Sequence, residues 1–314
     1  MRVAIIGGTG FVGGYLIESL LDAGHSVSTM VRPGSEDKLR RAGQLRITKG
    51  SLSSQSAIEE TCDACDAVIY NVGILREFPR QGITFEETQF LGVERTIAAA
   101  KKTGVTRFLL MSANGVHANG TPYQDSKYRA DELLRNSDLE FTIFAPSVIF
   151  GNPQGLMEIA TQLYADMVVP LMPAIGFYTG WSPTRGKVMM SPVHVEDVAQ
   201  AFVNALQGDA LLQQKVHLGG PEALSWPEMI QRIAGAAGKT KTVIPMPIGL
   251  MKLAALLLDW IPKFPVTRDQ LTMLAEGNVV EPTELARIID REPYRFDSKS
   301  LSYLPDNFEK CTGR

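Results

Sequence analysis

The tightest constraint on this chain is residues 2–14, Arg-Val-Ala-Ile-Ile-Gly-Gly-Thr-Gly-Phe-Val-Gly-Gly, where an apolar run of strand length breaks into glycines and a helical pattern opens at Phe11. Strand, glycine turn and helix in that order are what a nucleotide phosphate site requires, because the N–H groups and positive end of the helix then face the anion. The glycines have separate tasks. Gly7 lets the chain turn as it leaves the strand, Gly10 removes a Cβ that would hold the backbone off a pyrophosphate, and Gly13 lets the helix pack close to the strand. Thr9, Phe11 and Val12 complete the loop and the first turn. The stretch fits both GxGxxG from Gly8 and GxxGxxG from Gly7. Its force comes from context, directly after a strand and before an amphipathic segment ending near Gly24.

The pattern then alternates. Strands are predicted at residues 25–31, 45–48, 66–71, 107–111 and 141–145, and helices at 55–61, 87–103 and 123–135, which specifies an α/β, Rossmann-type, doubly wound parallel sheet. Residues 1–150 form the dinucleotide-binding domain on this reading. Residues 151–314 form a smaller, mainly helical C-terminal lobe, with 191–220 returning to the core through a helix at 195–206 and a strand at 215–218. Residues 152–190, rich in proline and methionine, read as loops and short helices over a cleft, and 225–290 as mostly helical. Residues 248–261 are the most apolar helix candidate, but fourteen residues containing Lys252 and Asp259 cannot span a bilayer. A peripheral membrane or multi-subunit contact through 248–276 is the reading left for that face.

Composition excludes more than it assigns. A net charge of −3, with Lys and Arg scattered among acids, gives no electrostatic basis for binding nucleic acid. Three cysteines make no disulfide framework, and Cys62-x-x-Cys65 has no second ligand pair for a metal. The N-terminus runs straight into a strand with no signal-peptide pattern, so a cytoplasmic protein is expected, peripheral to a membrane complex at most.

The cofactor is read at the strand ends. The residue closing the second strand faces the adenosine ribose in dinucleotide folds, and here it is Arg32, whose guanidinium suits a 2′-phosphate; NADP(H) is favoured and NAD(H) remains compatible. Lys38, Arg40 and Arg41 stand nearby. Asn71-Val72-Gly73 ends a buried strand with a small residue suited to close passage over a cofactor. Tyr123 and Lys127, four apart at a helix start, share one face, and a fixed cation beside a phenol pulls its pKa down from about 10, as proton donation to a carbonyl needs.

Together with Gly7, Gly10 and Gly13, Asn71-Val72-Gly73, and Tyr123 with Lys127, the runs Ala145-Pro146-Ser147-Val148-Ile149-Phe150-Gly151 and Pro192-Val193-His194-Val195-Glu196-Asp197-Val198-Ala199 resemble a short-chain dehydrogenase/reductase of the extended or atypical kind. The resemblance implies that Tyr123 is the acid/base, that Lys127 holds the nicotinamide ribose, and that Ser112, Pro146, Ser147 and Val148 border the cofactor. The family's carbonyl-polarising Ser or Thr is Ala113 here, with Ser112 one residue earlier on the opposite strand face and Ser126 or Asn114 as substitutes. Losing one such donor costs about 10²–10³ in rate. His217-Leu-Gly-Gly-Pro-Glu222, Pro245-Met-Pro247 and residues 266–279 resemble a narrower subgroup, which includes the NAD(P)H-binding accessory subunit of respiratory complex I and its bacterial relatives. An oxidoreductase acting on a small carbonyl or alcohol is therefore expected. The alternatives are a nucleotide-stabilised structural or assembly subunit and a nucleotide-sugar epimerase or dehydratase, the last weakened because no basic and aromatic set follows Gly151.

Overall fold

Four consecutive buried side chains, Val3, Ala4, Ile5 and Ile6, set the architecture, because a strand apolar on both faces must be covered on both. The structure, a computed structural model, describes residues 1–180, 182–251 and 268–312. In chain order its elements are β1 (Arg2–Ile6), α1 (Phe11–Asp22), β2 (Ser26–Val31), β3 (Leu45–Lys49), α2 (Gln55–Cys62), β4 (Ala67–Tyr70), α3 (Gly92–Thr103), β5 (Arg107–Met111), α4 (Pro122–Arg135) and β6 (Glu140–Pro146). There follow β7 (Ile149–Phe150), α5 (Ile159–Leu163), β8 (Ala174–Tyr178), β9 (Met189–Met190), β10 (Val193–His194), α6 (Val195–Leu206) and β11 (Gln214–Leu218). The last are β12 (Leu224–Ser225), α7 (Trp226–Ala236), β13 (Val243–Pro247), α8 (Arg268–Glu276), α9 (Thr283–Ile289) and α10 (Leu304–Thr312).

The chain divides into two compact units, Met1–Pro146 with Val195–His217, and Ser147–His194 with Leu218–Arg314. The first is built on a seven-stranded sheet of order β11-β6-β5-β4-β1-β2-β3. Strands β1 to β6 pair in parallel, with Ile6 beside Met30 on one side and Tyr70 on the other. Helix α1 packs on α6, and α2 on α3, as a doubly wound sheet requires. A π-helical turn at Glu86–Leu91 leads into α3, and the Tyr70 hydroxyl donates to the Thr88 carbonyl there at 2.5 Å. Gly92 is the residue that admits this hydroxyl, since a Cβ would sit 2.0 Å from it. Thr121 and Gln124 form a reciprocal capping box that fixes the start of α4, with Pro122 in the first turn.

The second unit has a core of its own around Phe150, Tyr164, Phe177, Trp226 and Phe296. Two of its segments depart from the sequence reading. Residues 243–247 lie in a stretch read as mostly helical but form β13, and residues 174–178, read as loop, form its parallel partner β8, from Val243 beside Ala174 to Pro247 beside Tyr178. Pro245 and Pro247, two apart, point the same way, so the ring nitrogens that cannot donate face the edge that no strand among the described residues covers. Most of the apolar segment 248–261, and 252–267 of the contact read for 248–276, lie outside the described residues. No helix among the described residues is long and apolar enough to cross a membrane.

Candidate dinucleotide site

Strands β1 and β4 are neighbours from which the sheet grows in opposite directions, so the crevice beyond their carboxyl ends is a topological switch point. The Asn71 N–H donates to the Ile6 carbonyl at 2.8 Å and carries the ladder to the last residue before the glycine turn. Gly7 sits at φ +104°, and a Cβ there would lie 2.6 Å from the Asn71 oxygen. A Cβ on Gly13 would lie 2.1 Å from the Gly7 oxygen, and one on Gly8 would lie 2.6 Å from Thr29 Oγ1, which donates to the Ile5 carbonyl. These three glycines are demanded by the protein itself. Gly10 is different, because the only atom near its Cβ position is the Gly7 oxygen, at an ordinary 3.7 Å. The described residues do not fill the space in front of Gly10.

That space faces the start of α1. Gly10 caps the helix without a side-chain bond, and no acid stands in the first turn. The N–H groups of Phe11, Val12 and Gly13, which have no intrahelical acceptors, and the positive end of the helix therefore meet no carboxylate of α1 itself. The cradle fits a diphosphate. On the adenosine side, Arg32 is exposed directly after β2 in a turn closed by the Ser35 N–H on its carbonyl, and no ion pair with a described residue engages it. Its basic neighbours differ: Arg40 is bound to Glu18 at 2.8 Å and stacked on Tyr15, and Arg41 pairs with Asp22. Of these cations, Arg32 and Lys38 make no ion pair with a described residue.

On the nicotinamide side, Lys127 is buried and donates to the Met111 carbonyl at 3.0 Å, where β5 ends. A Cβ on Gly73 would come 3.7 Å from the Lys127 nitrogen, so the Asn71-Val72-Gly73 turn and Lys127 converge. The ammonium lies 5.9 Å from the centre of the half-buried Tyr123 ring, which packs edge-on against Phe85. Electrostatics here correct the sequence expectation. Burial, with Asp131 adding negative charge, pushes the Tyr123 pKa up, and burial brings that of Lys127 down to about 8. The lysine is held by the Met111 carbonyl, and the phenol stands above its ordinary pKa, not below it.

Both serine substitutes for the missing hydroxyl give their protons elsewhere, and Asn114 is engaged through its acceptor oxygen. Ser112 is buried and donates to Asp131 at 3.0 Å, Ser126 donates to Gln89 at 2.9 Å, and Asn114 Oδ1 lies 2.7 Å from His217 Nδ1. Pro146 ends β6 with its carbonyl accepting from the Asn114 N–H. In the second unit, Ser147 donates its N–H to Leu218 and its hydroxyl to the Asn278 carbonyl, both at 2.8 Å, and Val148 accepts from the Val193 N–H. His194 is buried edge-on to Phe150 and close to Tyr294, and burial lowers its pKa to about 4. Burial pushes the Cys62 thiol up to about 12 and raises that of Cys65, so neither is a ready thiolate. Sequence reasoning missed Asp131 and Lys215, whose side chains meet beside Lys127 at 2.8 Å. Asp131 had a signal, an acid four residues after Lys127 on one helical face, whereas Lys215 arrives from β11 and had none.

A glycine turn at a switch point, an uncapped helix start facing it and a buried lysine at the next strand end define a dinucleotide-binding Rossmann protein. A family model for NAD(P)H-binding proteins matches residues 7–166, and the chain belongs to that family. It is 25% identical over 319 aligned residues to the Arabidopsis thaliana mitochondrial NADH dehydrogenase [ubiquinone] 1 alpha subcomplex subunit 9, covering 96% of this chain and 76% of that protein. It is 24% identical to the photosystem II assembly factor Ycf39 of Synechocystis, covering 100% and 91%. The fold is shared with the Thermus thermophilus UDP-glucose 4-epimerase solved with NAD, at a TM-score of 0.72 and 19% identity over 98% and 99% of the two chains.

Proposed function

We propose that this chain holds NADP(H) as a structural ligand and serves as an accessory or assembly protein of a larger complex. The observation that carries the reading is the commitment of the Ser112 and Ser126 hydroxyl protons to Asp131 and Gln89, which leaves a carbonyl substrate without a second hydroxyl donor beside Tyr123. The glycine cradle and the first turn of α1 would take the diphosphate, Arg32 a 2′-phosphate, and Lys127 with Gly73 the ribose of the nicotinamide. Pro146, Ser147 and Val148 remain candidates for the nicotinamide border. Similarity to the plant complex subunit and to the cyanobacterial assembly factor supports the same class.

Slow oxidoreductase chemistry is the second reading, favoured by one observation: Tyr123 keeps part of its surface exposed on the helical face it shares with Lys127. A bound nicotinamide supplies hydride exchange. Tyr123 would then give its phenolic proton to the substrate oxygen unaided, at a cost of about 10²–10³ in rate for the missing donor. The test is to denature the purified protein and identify the released nucleotide, then to follow NADPH absorbance across a carbonyl panel. A stoichiometric NADP(H) that stays unoxidised is expected. Rapid oxidation abolished by Tyr123→Phe would overturn the accessory reading in favour of the enzyme.

A further inference from the structure

Beside Lys127 lies a cluster that the nucleotide reading does not use. Asp131 is one helical turn further along α4, 2% exposed, and its Oδ2 takes the Ser112 hydroxyl at 3.0 Å and the Lys215 ammonium at 2.8 Å. Lys215 reaches it from β11 with 16% of its side chain exposed. Asp131 Oδ1 is buried and has no hydrogen-bond partner among the described residues. An aspartate this deep with an idle oxygen is expensive, and packing alone would be served better by an apolar residue. Four residues apart on one helix, Lys127 and Asp131 occupy the same face. The groups around the lysine are thus Tyr123 and Asp131 on its own helix, Lys215 from β11, the Met111 carbonyl at the end of β5 and the Gly73 turn after β4.

We propose that Asp131 is a positioning residue for the Tyr123–Lys127 pair: its carboxylate, balanced by Lys215, keeps a charged ammonium at the end of β5 and at the same time withholds the Ser112 hydroxyl from the substrate position. The inference rests on the nucleotide reading above and deepens it by naming what governs the cation of that site. Two opposite influences reach Lys127. Asp131 favours its charged form, and Lys215 and burial oppose it. Removing either partner should move the lysine in opposite directions, which a merely structural pair would not do.

The experiment titrates Lys127 directly, from the Cε carbon resonance of ¹³C-labelled lysine in the full chain, assigned by its loss in Lys127→Met. The expected wild-type midpoint is about 8. Asp131→Asn should lower it by about one unit or more, and Lys215→Met should raise it. The double variant Asp131→Asn/Lys215→Met, which removes both charges of the Asp131–Lys215 pair together should the single variant fail to fold, should return it towards wild type. A midpoint unmoved in both single variants, or moved the same way in both, overturns the proposal, as does a double variant shifted as far as Asp131→Asn alone. NADPH affinity measured by fluorescence over the same pH range separates the two readings. Affinity that tracks the Lys127 midpoint in every variant supports both. Affinity independent of pH while the midpoints move as expected overturns the assignment of Lys127 to the nucleotide and leaves the role of Asp131 standing.

Discussion

Replacing Gly10 and Gly13 by alanine in turn asks whether the space at the helix start belongs to the protein or to a ligand. At Gly13 the new Cβ would lie 2.1 Å from the Gly7 oxygen and 2.9 Å from the Gly8 backbone, so the turn or α1 must move. Overpacking against main chain costs about 1–3 kcal/mol or more, and at about 2–4 °C per kcal/mol for a unit of this size the melting temperature should fall by several degrees. At Gly10 the backbone is at φ −81°, ψ 171°, which alanine adopts freely, and the nearest atom stands 3.7 Å away. Alanine is a poorer N-cap than glycine but restricts the unfolded chain by about 0.4–1 kcal/mol, so the two effects nearly cancel. Gly10→Ala should therefore melt within about 2 °C of wild type. Its Cβ would nevertheless keep a diphosphate off the first-turn N–H groups, and NADPH affinity by calorimetry should fall at least about tenfold, the loss of about 1.4 kcal/mol that one charge-assisted contact supplies. Wild-type affinity in Gly10→Ala, or a Gly13→Ala protein as stable as wild type, would refute the assignment of the cradle.

Three further outcomes are expected. Arg32→Ala should weaken NADPH binding about tenfold and leave NADH unchanged, read as paired titrations; equal losses for both would place the arginine outside 2′-phosphate recognition. Lys127→Met should raise the melting temperature at pH 7 by a few degrees while weakening nucleotide binding. A lysine brought from 10.5 to about 8 carries a cost on the order of 3 kcal/mol, present in full below pH 8 and relieved as pH rises to 10.5, and the lost bond to the Met111 carbonyl returns about 1 kcal/mol of it. His194 should give the fold an acid limit. Its unfolded imidazole takes a proton near 6.5 and the buried one near 4, so stability is intact above 6.5 and is lost as pH falls towards 4; His194→Gln should flatten melting temperature against pH across that window.

The sheet was legible because its signals are local. Strand β5 and helix α6 begin and end where periodicity places them, and β1, β2 and β4 need only an apolar run bounded by glycine or asparagine. Strand β13 was not legible, because two prolines in five residues argue against a strand unless one edge is free, and that depends on where β8 lies. The glycine spacing read Gly7 as a tight turn and Gly13 as a close helix–strand packing point; Gly7 has a φ of +104°, and a Cβ on Gly13 would lie 2.1 Å from the Gly7 oxygen. The charge state of Tyr123 was not legible. It depends on burial and on Asp131, and the lysine that pattern reasoning assigned to it is turned to a backbone carbonyl by the end of a strand sixteen residues earlier.

The same features give a bound nucleotide a role that needs no turnover, as the accessory reading requires. An uncapped helix start, a buried lysine held by one carbonyl and an aspartate with an idle oxygen are each unfavourable in the folded chain alone. A diphosphate over α1 would satisfy the first, and a ribose hydroxyl accepting from Lys127 would ease the second. A ligand that binds only the folded form adds about 2.7 kcal/mol at a concentration a hundred times its Kd, which for a unit of this size is about 5–11 °C of melting temperature. Stability of that order can hold a docking surface in shape without any chemical step. Gly7 and Gly73 follow β1 and β4, and Lys127 of α4 is bonded to the end of β5; these three strands are the centre of the sheet, so nucleotide occupancy would act on the part of the unit whose loss would unfold the rest.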